Sequence, residues 1–243
     1  MSRLGYSLLA VITFVGCLAL FAPASIVESA VERIPGVSMS NVAGSLWSGS
    51  GAVHVGGQLL GTLTYRFKPI QLFVLRAAYD LHLTSPTLDV TALASAGVSR
   101  GVLETTGHVD ADGLRTFLER YDISIGGRFD TDRIRVEHAW DAPVPAVNGE
   151  LRWSGAPVSY RLSGVTHRLT LPPLIGFIDS SAGAPEMTVY EPNRDTPLML
   201  ARIAADGWAT IGITKRFTQL LGKPWAGSDA DHAVVLEVQE QLF

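Results

Sequence analysis

Cysteine is almost absent: Cys17 is the only one in 243 residues, and it lies inside an apolar run. The rest of the chain therefore has no thiol, which excludes an intramolecular disulfide or a cysteine-ligated metal there and suits an oxidising compartment. Charge is sparse at 17% of residues, with 19 basic against 23 acidic and a net charge of −4. The basic residues stand singly, so no positive stripe exists to neutralise a phosphate backbone, and nucleic acid is not an expected partner. A βαβ rhythm is missing too, because the helical candidates are few and short, 112–121 and 214–221. That absence excludes the doubly wound folds.

Metal and catalytic signatures are equally thin. His54, His82, His108, His138, His167 and His232 show none of the close spacings that place two imidazoles on one ion. The pairs Asp110/Asp112, Asp130/Asp132 and Asp229/Asp231 lack the glycine and glutamate positions of a calcium loop and flank turns, where Asp accepts backbone N–H bonds. Gly97-Val98-Ser99-Arg100-Gly101 matches the nucleophile-elbow spelling. That motif needs a strand before it and a helix behind it, and here alternating β pattern lies on both sides. Ser99 is accordingly expected in a turn, and no catalytic residue, cofactor or metal ligand is assigned.

What is present begins with Leu4–Ala22, 19 residues without a charge. At ~1.5 Å per helical residue they roughly span a hydrocarbon core of ~30 Å. Arg3 precedes this run, and Glu28 and Glu32 follow it. The weak positive-inside bias then puts the N-terminus in the cytoplasm and the remainder outside it. Ala22-Pro23-Ala24 also fits a signal-peptide cleavage site, so a cleaved signal is the alternative. The run exceeds the usual h-region of about 7–15 residues, which favours a retained anchor. A lipoprotein reading of Phe14–Cys17 is weaker, since the apolar run continues past the cysteine.

The chain thus divides into an anchor at 1–24, a connecting segment at 25–36 and a β-rich domain at 37–243. In the connector Ile26, Val27, Ala30, Val31 and Ile34 recur at helical spacing, until Pro35-Gly36 stops the pattern. Beyond it the period is two: GQLLGTLTYRF, LRAAYDLHL, RIRVEHAW, VTHRLTL and VVLEVQEQL all alternate, bounded by Gly, Pro, Asp and Asn. The fold class is therefore mainly β, mostly antiparallel, with one face buried. Asp206-Gly207 reads as a hairpin turn, Thr214 as the cap of a helix KRFTQLL, and Gly222 as its stop. Stretches such as LFVLRAA and LPPLIGFI are apolar on both phases, as two packed layers or an open apolar groove would require.

One segment occurs twice: Gly44-Ser-Leu-Trp47-Ser-Gly49 and Gly149-Glu-Leu-Arg-Trp153-Ser-Gly. Two β-rich halves, 37–140 and 147–243, forming a curved sheet or a sandwich, would account for the echo. In this reading glycine serves where the backbone turns or bulges, and the tryptophan is buried in the sheet. Trp140, Trp208 and Trp225 are read likewise as core or interface residues.

The order of these segments resembles the N component of the bacterial type II secretion system. The likeness rests on the single N-terminal span, GSLWSG at Gly44–Gly49, GTLTYRFKPIQL with Pro69, GELRW at Gly149–Trp153, and Asp206–Trp225 with Trp208 and Gly222. Tyr65 stands where a tryptophan is expected, and the tail after Trp225 matches no part of the pattern. The resemblance implies an accessory, non-enzymatic inner-membrane component with a periplasmic β domain. Its partners would be the inner-membrane platform and the components bridging to the outer-membrane channel. The residues named above are structural or interaction candidates under this resemblance. A membrane-anchored, AsmA-like β groove that handles lipid or lipopolysaccharide is the competing resemblance.

Overall fold

The computed structural model describes residues 23–34, 36–119, 122–162, 164–180 and 183–241. The apolar run Leu4–Ala22 lies outside them. No helix among the described residues is long and apolar enough to cross a membrane.

The β-rich domain is dominated by one antiparallel sheet. It starts with β1 (Val37–Gly44), β2 (Ser48–Val55), β3 (Gln58–Phe67), β4 (Ala77–Ser85), β5 (Leu88–Ala96) and β6 (Arg100–Asp110), each paired with the next. β8 (Arg128–Ala139) and β9 (Ala146–Trp153) continue it, followed by β12 (Leu174–Asp179), β13 (Glu186–Tyr190), β14 (Pro197–Ile203), β15 (Trp208–Thr214) and β16 (Val234–Gln241). The three strands left out, β7 (Ile123–Ile125), β10 (Ala156–Leu162) and β11 (Val165–Leu171), form a small sheet of their own in the order β11-β10-β7. The helices are short: α1 (Ser25–Val31), α2 (Arg115–Glu119) and α3 (Lys215–Leu220).

Alternation, interrupted by a few irregularities such as those between Thr105 and Gly107 and between Thr131 and Arg135, makes this sheet two-faced. Partners in register share a face, and one row runs Leu63, Leu83, Val90, Gly107, Thr131, Leu151, Gly176, Val189, Met199, Ile213, Leu236 from β3 to β16. A second row on the same face is Phe67, Tyr79, Ala94, Leu103, Val136, Val147. The neighbouring row on the other face reads Arg66, Asp80, Leu93, Glu104, Arg135, Asn148. Apolar and polar faces are thus separated across the width of the sheet, as the period of two predicts.

The apolar face is covered in two places. α1 lies over the first strands, where Ala24, Met39, Val53 and Tyr65 are buried with Val27, Val31 and Leu63 packed around them. The connector helix expected from spacing is therefore part of the fold. The small sheet and α3 cover the second place, burying Trp153, Ala156, Val158, Leu171, Leu198 and Phe217. The chain first visits the small sheet as β7, between β6 and β8, returns to it after β9 as β10 and β11, and leaves it through Leu171-Pro172-Pro173-Leu174. In LPPLIGFI Leu171 and Leu174 join the core between the two sheets, whereas Ile175 and Phe177 line an open cleft and Phe177 is 48% exposed. The other such stretch, LFVLRAA, is not a strand at its start, since Pro69–Val74 is a 3-10 turn.

The segment 141–147 is the turn and first residues of the β8–β9 hairpin, so the sheet runs unbroken past the junction of the two halves. Local signals match well elsewhere. Gly207 turns between β14 and β15 with φ +83°, and Gly222 follows α3 with φ +68°.

Candidate functional site

All the strands share two ends. The near end holds the β1–β2 turn at 45–47, the 3-10 turn 69–74, the β5–β6 turn 97–99 and Trp140. The far end holds the Gly56-Gly57 hairpin, Pro86, Trp153 and α3. This division sorts the residues singled out from sequence. Gly44, Trp47, Gly49 and Pro69 lie at the near end of β1–β4, whereas Trp208, at the start of β15, stands eight strands beyond β4 in the same sheet. Trp153, Gly222 and Trp225 belong to the far part, and Gly149 sits inside β9.

The two Trp-Ser-Gly segments are consequently used in different ways. Trp153 is buried at the end of β9, ring-stacked on Phe129 at 6.2 Å, and its indole N–H donates to the Gly126 carbonyl at 2.9 Å. Trp47 lies half-buried in the β1–β2 turn, edge-on to Phe67 at 4.9 Å. Of the two, Trp153 alone is fully buried, and Trp47 stands at the rim of the sheet. Gly44 has φ +111°, and a side chain there would be driven into the Ser48 carbonyl, so this turn requires glycine.

Tyr65 and Tyr79 tie that turn down. The Tyr65 hydroxyl donates to the Ser45 carbonyl at 2.8 Å, and the Tyr79 hydroxyl donates to the Leu46 carbonyl at 3.3 Å. Burial pushes both phenols above their ordinary pKa, and for Tyr65 the nearby Tyr79 adds to it. Spacing alone carried no sign of this pair, because the turn they hold is 20 residues away from Tyr65.

Between the two covered regions the apolar face is open. Ala92, Ala94, Leu103, Ile134, Val136 and Val147 are only partly buried. A cleft of about 400 Å³ lies here, lined by Tyr79, Ala94, Leu103, Val136, His138 and Trp140 among others. His138 Nδ1 is the one buried side-chain polar atom among the described residues with no hydrogen-bond partner. Its ring stands edge-on to Trp140 at 6.0 Å. A larger cleft of about 700 Å³ opens chiefly over the polar face, with Arg66, Asp80, His82, Glu104 and Arg133 in its lining.

The polar face is laced with ion pairs. Glu137 accepts from Arg100 and Arg135, and Arg135 also reaches Glu104. The hydrogen bond from Arg100, then that from Arg135, holds the Glu137 carboxyl below the usual carboxylate range. A depressed folded-state pKa contributes stability above the unfolded carboxylate pKa of about 4.3, and this is lost as pH falls through the lower folded value. Glu137→Gln should therefore lower the melting temperature at pH 7 by no more than about 4 °C, given the modest worth of exposed pairs. Its deficit should shrink as thermal melts are repeated at progressively lower pH below 4.3. An equal deficit at every pH would count against the pairing.

Ser99 sits in the tight turn between β5 and β6, with the Arg100 strand directly after it, so the strand-to-helix context of a nucleophile elbow is missing there. Among the described residues no group of three or more His, Cys, Asp and Glu side chains is placed to hold a metal ion.

These features define an open-faced antiparallel β protein: one wide sheet, charged on one side, apolar on the other, with the apolar side only partly covered. The family model described as type II secretion system (T2SS), protein N, matches residues 35–224, and the chain belongs to that family. Membership connects the protein with type II secretion at a general level and with other components of that system. No curated protein and no solved structure matches the chain. The match ends before β16, which adds a last edge strand alongside β15. The tail that fits no part of the family pattern is thus an extension of the same sheet.

Proposed function

We propose that this protein is an accessory inner-membrane component of the type II secretion machine, supporting export of folded proteins from the periplasm across the outer membrane. It crosses the membrane once through Leu4–Ala22, with the N-terminus in the cytoplasm and the β domain in the periplasm. It works by protein–protein contact and without catalysis or cofactor. Its partners are the inner-membrane platform and the periplasmic bridge to the outer-membrane channel. Family membership over 35–224 is the observation that carries this reading. The partly covered apolar face supports it, since a soluble monomer gains by burying such a surface and a docking protein needs it available.

The same face favours a second reading, in which the apolar rows shield an acyl chain and the protein handles lipid at the membrane. Deleting the gene separates the two. Loss of folded enzymes from the culture medium, with unchanged outer-membrane permeability, is the expected result for the secretion role. Permeability defects with normal secretion would transfer the assignment to lipid handling. Co-purification from detergent, with mass spectrometry of proteins and lipids, should recover other secretion components.

A further inference from the structure

The 3-10 turn Pro69–Val74 is built inside out. Ile70, Leu72, Phe73, Val74 and the following Leu75 are 50 to 89% exposed, while the residue it tucks inward is the polar Gln71. The turn is nevertheless well tied. The Lys68 N–H donates to the Ala78 carbonyl, Gln71 to Lys68, Leu75 to Leu72 and Arg76 to Gln71, at 2.8–3.1 Å. Leu75 even takes a left-handed conformation with φ +55°, which costs a branched residue energy and turns its side chain into water. A water-facing turn has no reason to spend an apolar run this way.

Its neighbours share the property. Val98, at the tip of the β5–β6 turn, is 82% exposed, and Trp140 is 53% exposed at the same end of the sheet. Pro23, the first described residue, is bridged to Ser45 in the near-end turn. The 19-residue apolar run Leu4–Ala22 therefore meets the β domain at the very end where these side chains are displayed.

We infer that the near end of the sheet rests on the surface of the bilayer from which the chain emerges, with the Ile70–Leu75 turn and Val98 inserted at the headgroup boundary. Trp140 lies at the interface level, where indoles are favoured. Lys68, Arg76 and Arg100 flank the inserted turns, although Asp141 and Asp206 share this end, so the contact is mainly apolar. The strands then stand up from the membrane and carry the far end, with Trp153 and α3, about 30 Å away over the nine residues of β4. This inference rests on the single-span anchoring proposed above.

The test uses the full chain with Cys17→Ala, reconstituted in phosphatidylethanolamine/phosphatidylglycerol vesicles. A polarity-sensitive fluorophore is placed on Phe73→Cys, on Val98→Cys or, at the far end, on Pro86→Cys. All three positions are exposed, so the labels leave the core untouched. Brominated lipid should quench the labels at 73 and 98 roughly twofold or more, as expected at an insertion depth of ~5–10 Å, and leave that at 86 unchanged. If the protein stays with the vesicles through carbonate extraction but all three labels remain in water, the near end does not touch lipid. The inference then fails while the anchor stands. Extraction of the protein by carbonate would remove both readings. Labels at 73 and 98 that are shielded in native membranes but not in protein-free vesicles would assign the surface to a protein partner and overturn the inference as well.

Discussion

Replacing Trp153 with alanine should lower the stability of the folded protein by about 3–5 kcal/mol, the range for emptying a buried large aromatic site. Trp153 is 7% exposed and is surrounded by residues from both sheets and α3, including Val158, Leu198 and Phe217. The substitution opens a cavity where the two layers meet, removes the stack on Phe129, and leaves the Gly126 carbonyl without its indole donor. A domain of this size shifts by about 2–4 °C per kcal/mol, so the melting temperature should fall by roughly 10 °C. Trp153→Phe keeps most of the ring and should cost far less, mainly the hydrogen bond, about 1 kcal/mol. Trp47→Ala should also cost less, because its indole is only partly buried and its contact is an edge-on one to Phe67. Thermal melts of the three variants give the order. Unchanged melting with abolished secretion for Trp153→Ala would mean that the indole acts on a partner and does not hold the layers together.

Thr214→Val is the second large effect, at about 2–4 kcal/mol, and it changes almost no volume. Thr214 is fully buried where β15 passes into α3. Its hydroxyl lies 2.9 Å from the Pro197 carbonyl and 3.0 Å from that of Leu198, as donor, and accepts from the Phe217 N–H at 3.4 Å. One oxygen therefore both caps the helix and fastens it to β14. Valine leaves a carbonyl and an N–H buried and unpaired, and their desolvation is then uncompensated. Thr214→Ser restores the oxygen and should recover most of the loss in urea unfolding. If serine and valine were equally destabilised, the methyl group and its packing would be the cause.

How much of this was legible beforehand differs from element to element. The Thr214 cap, the Gly207 turn and the Gly222 stop were readable because each is a property of a few adjacent residues. The mainly β, antiparallel character followed from alternation, and membership of the secretion family followed from the order of short motifs between Gly44 and Trp225. The difference between buried Trp153 and half-buried Trp47 was not legible, since a tryptophan beside a turn looks the same in sequence whether or not a second layer lies above it. The exposed run Ile70–Leu75 read as a double-sided apolar stretch, and periodicity cannot tell a buried segment from one that faces a membrane.

By itself the chain determined which residues share a face of each strand, where turns and helix ends fall, and that one uncharged run stands at its start. These are local quantities, governed by the two-residue period of a pleated strand and by the hydrogen bonds of neighbouring backbone groups. Only the tertiary structure decided that β9 skips two strands to pair with β12, and that the apolar face is covered at two places and open between them. It also decided that Ile70, Val98 and Trp140 gather at the end where residue 23 enters. Strand order depends on contacts between segments far apart in the chain, and no strand's own pattern names its neighbour.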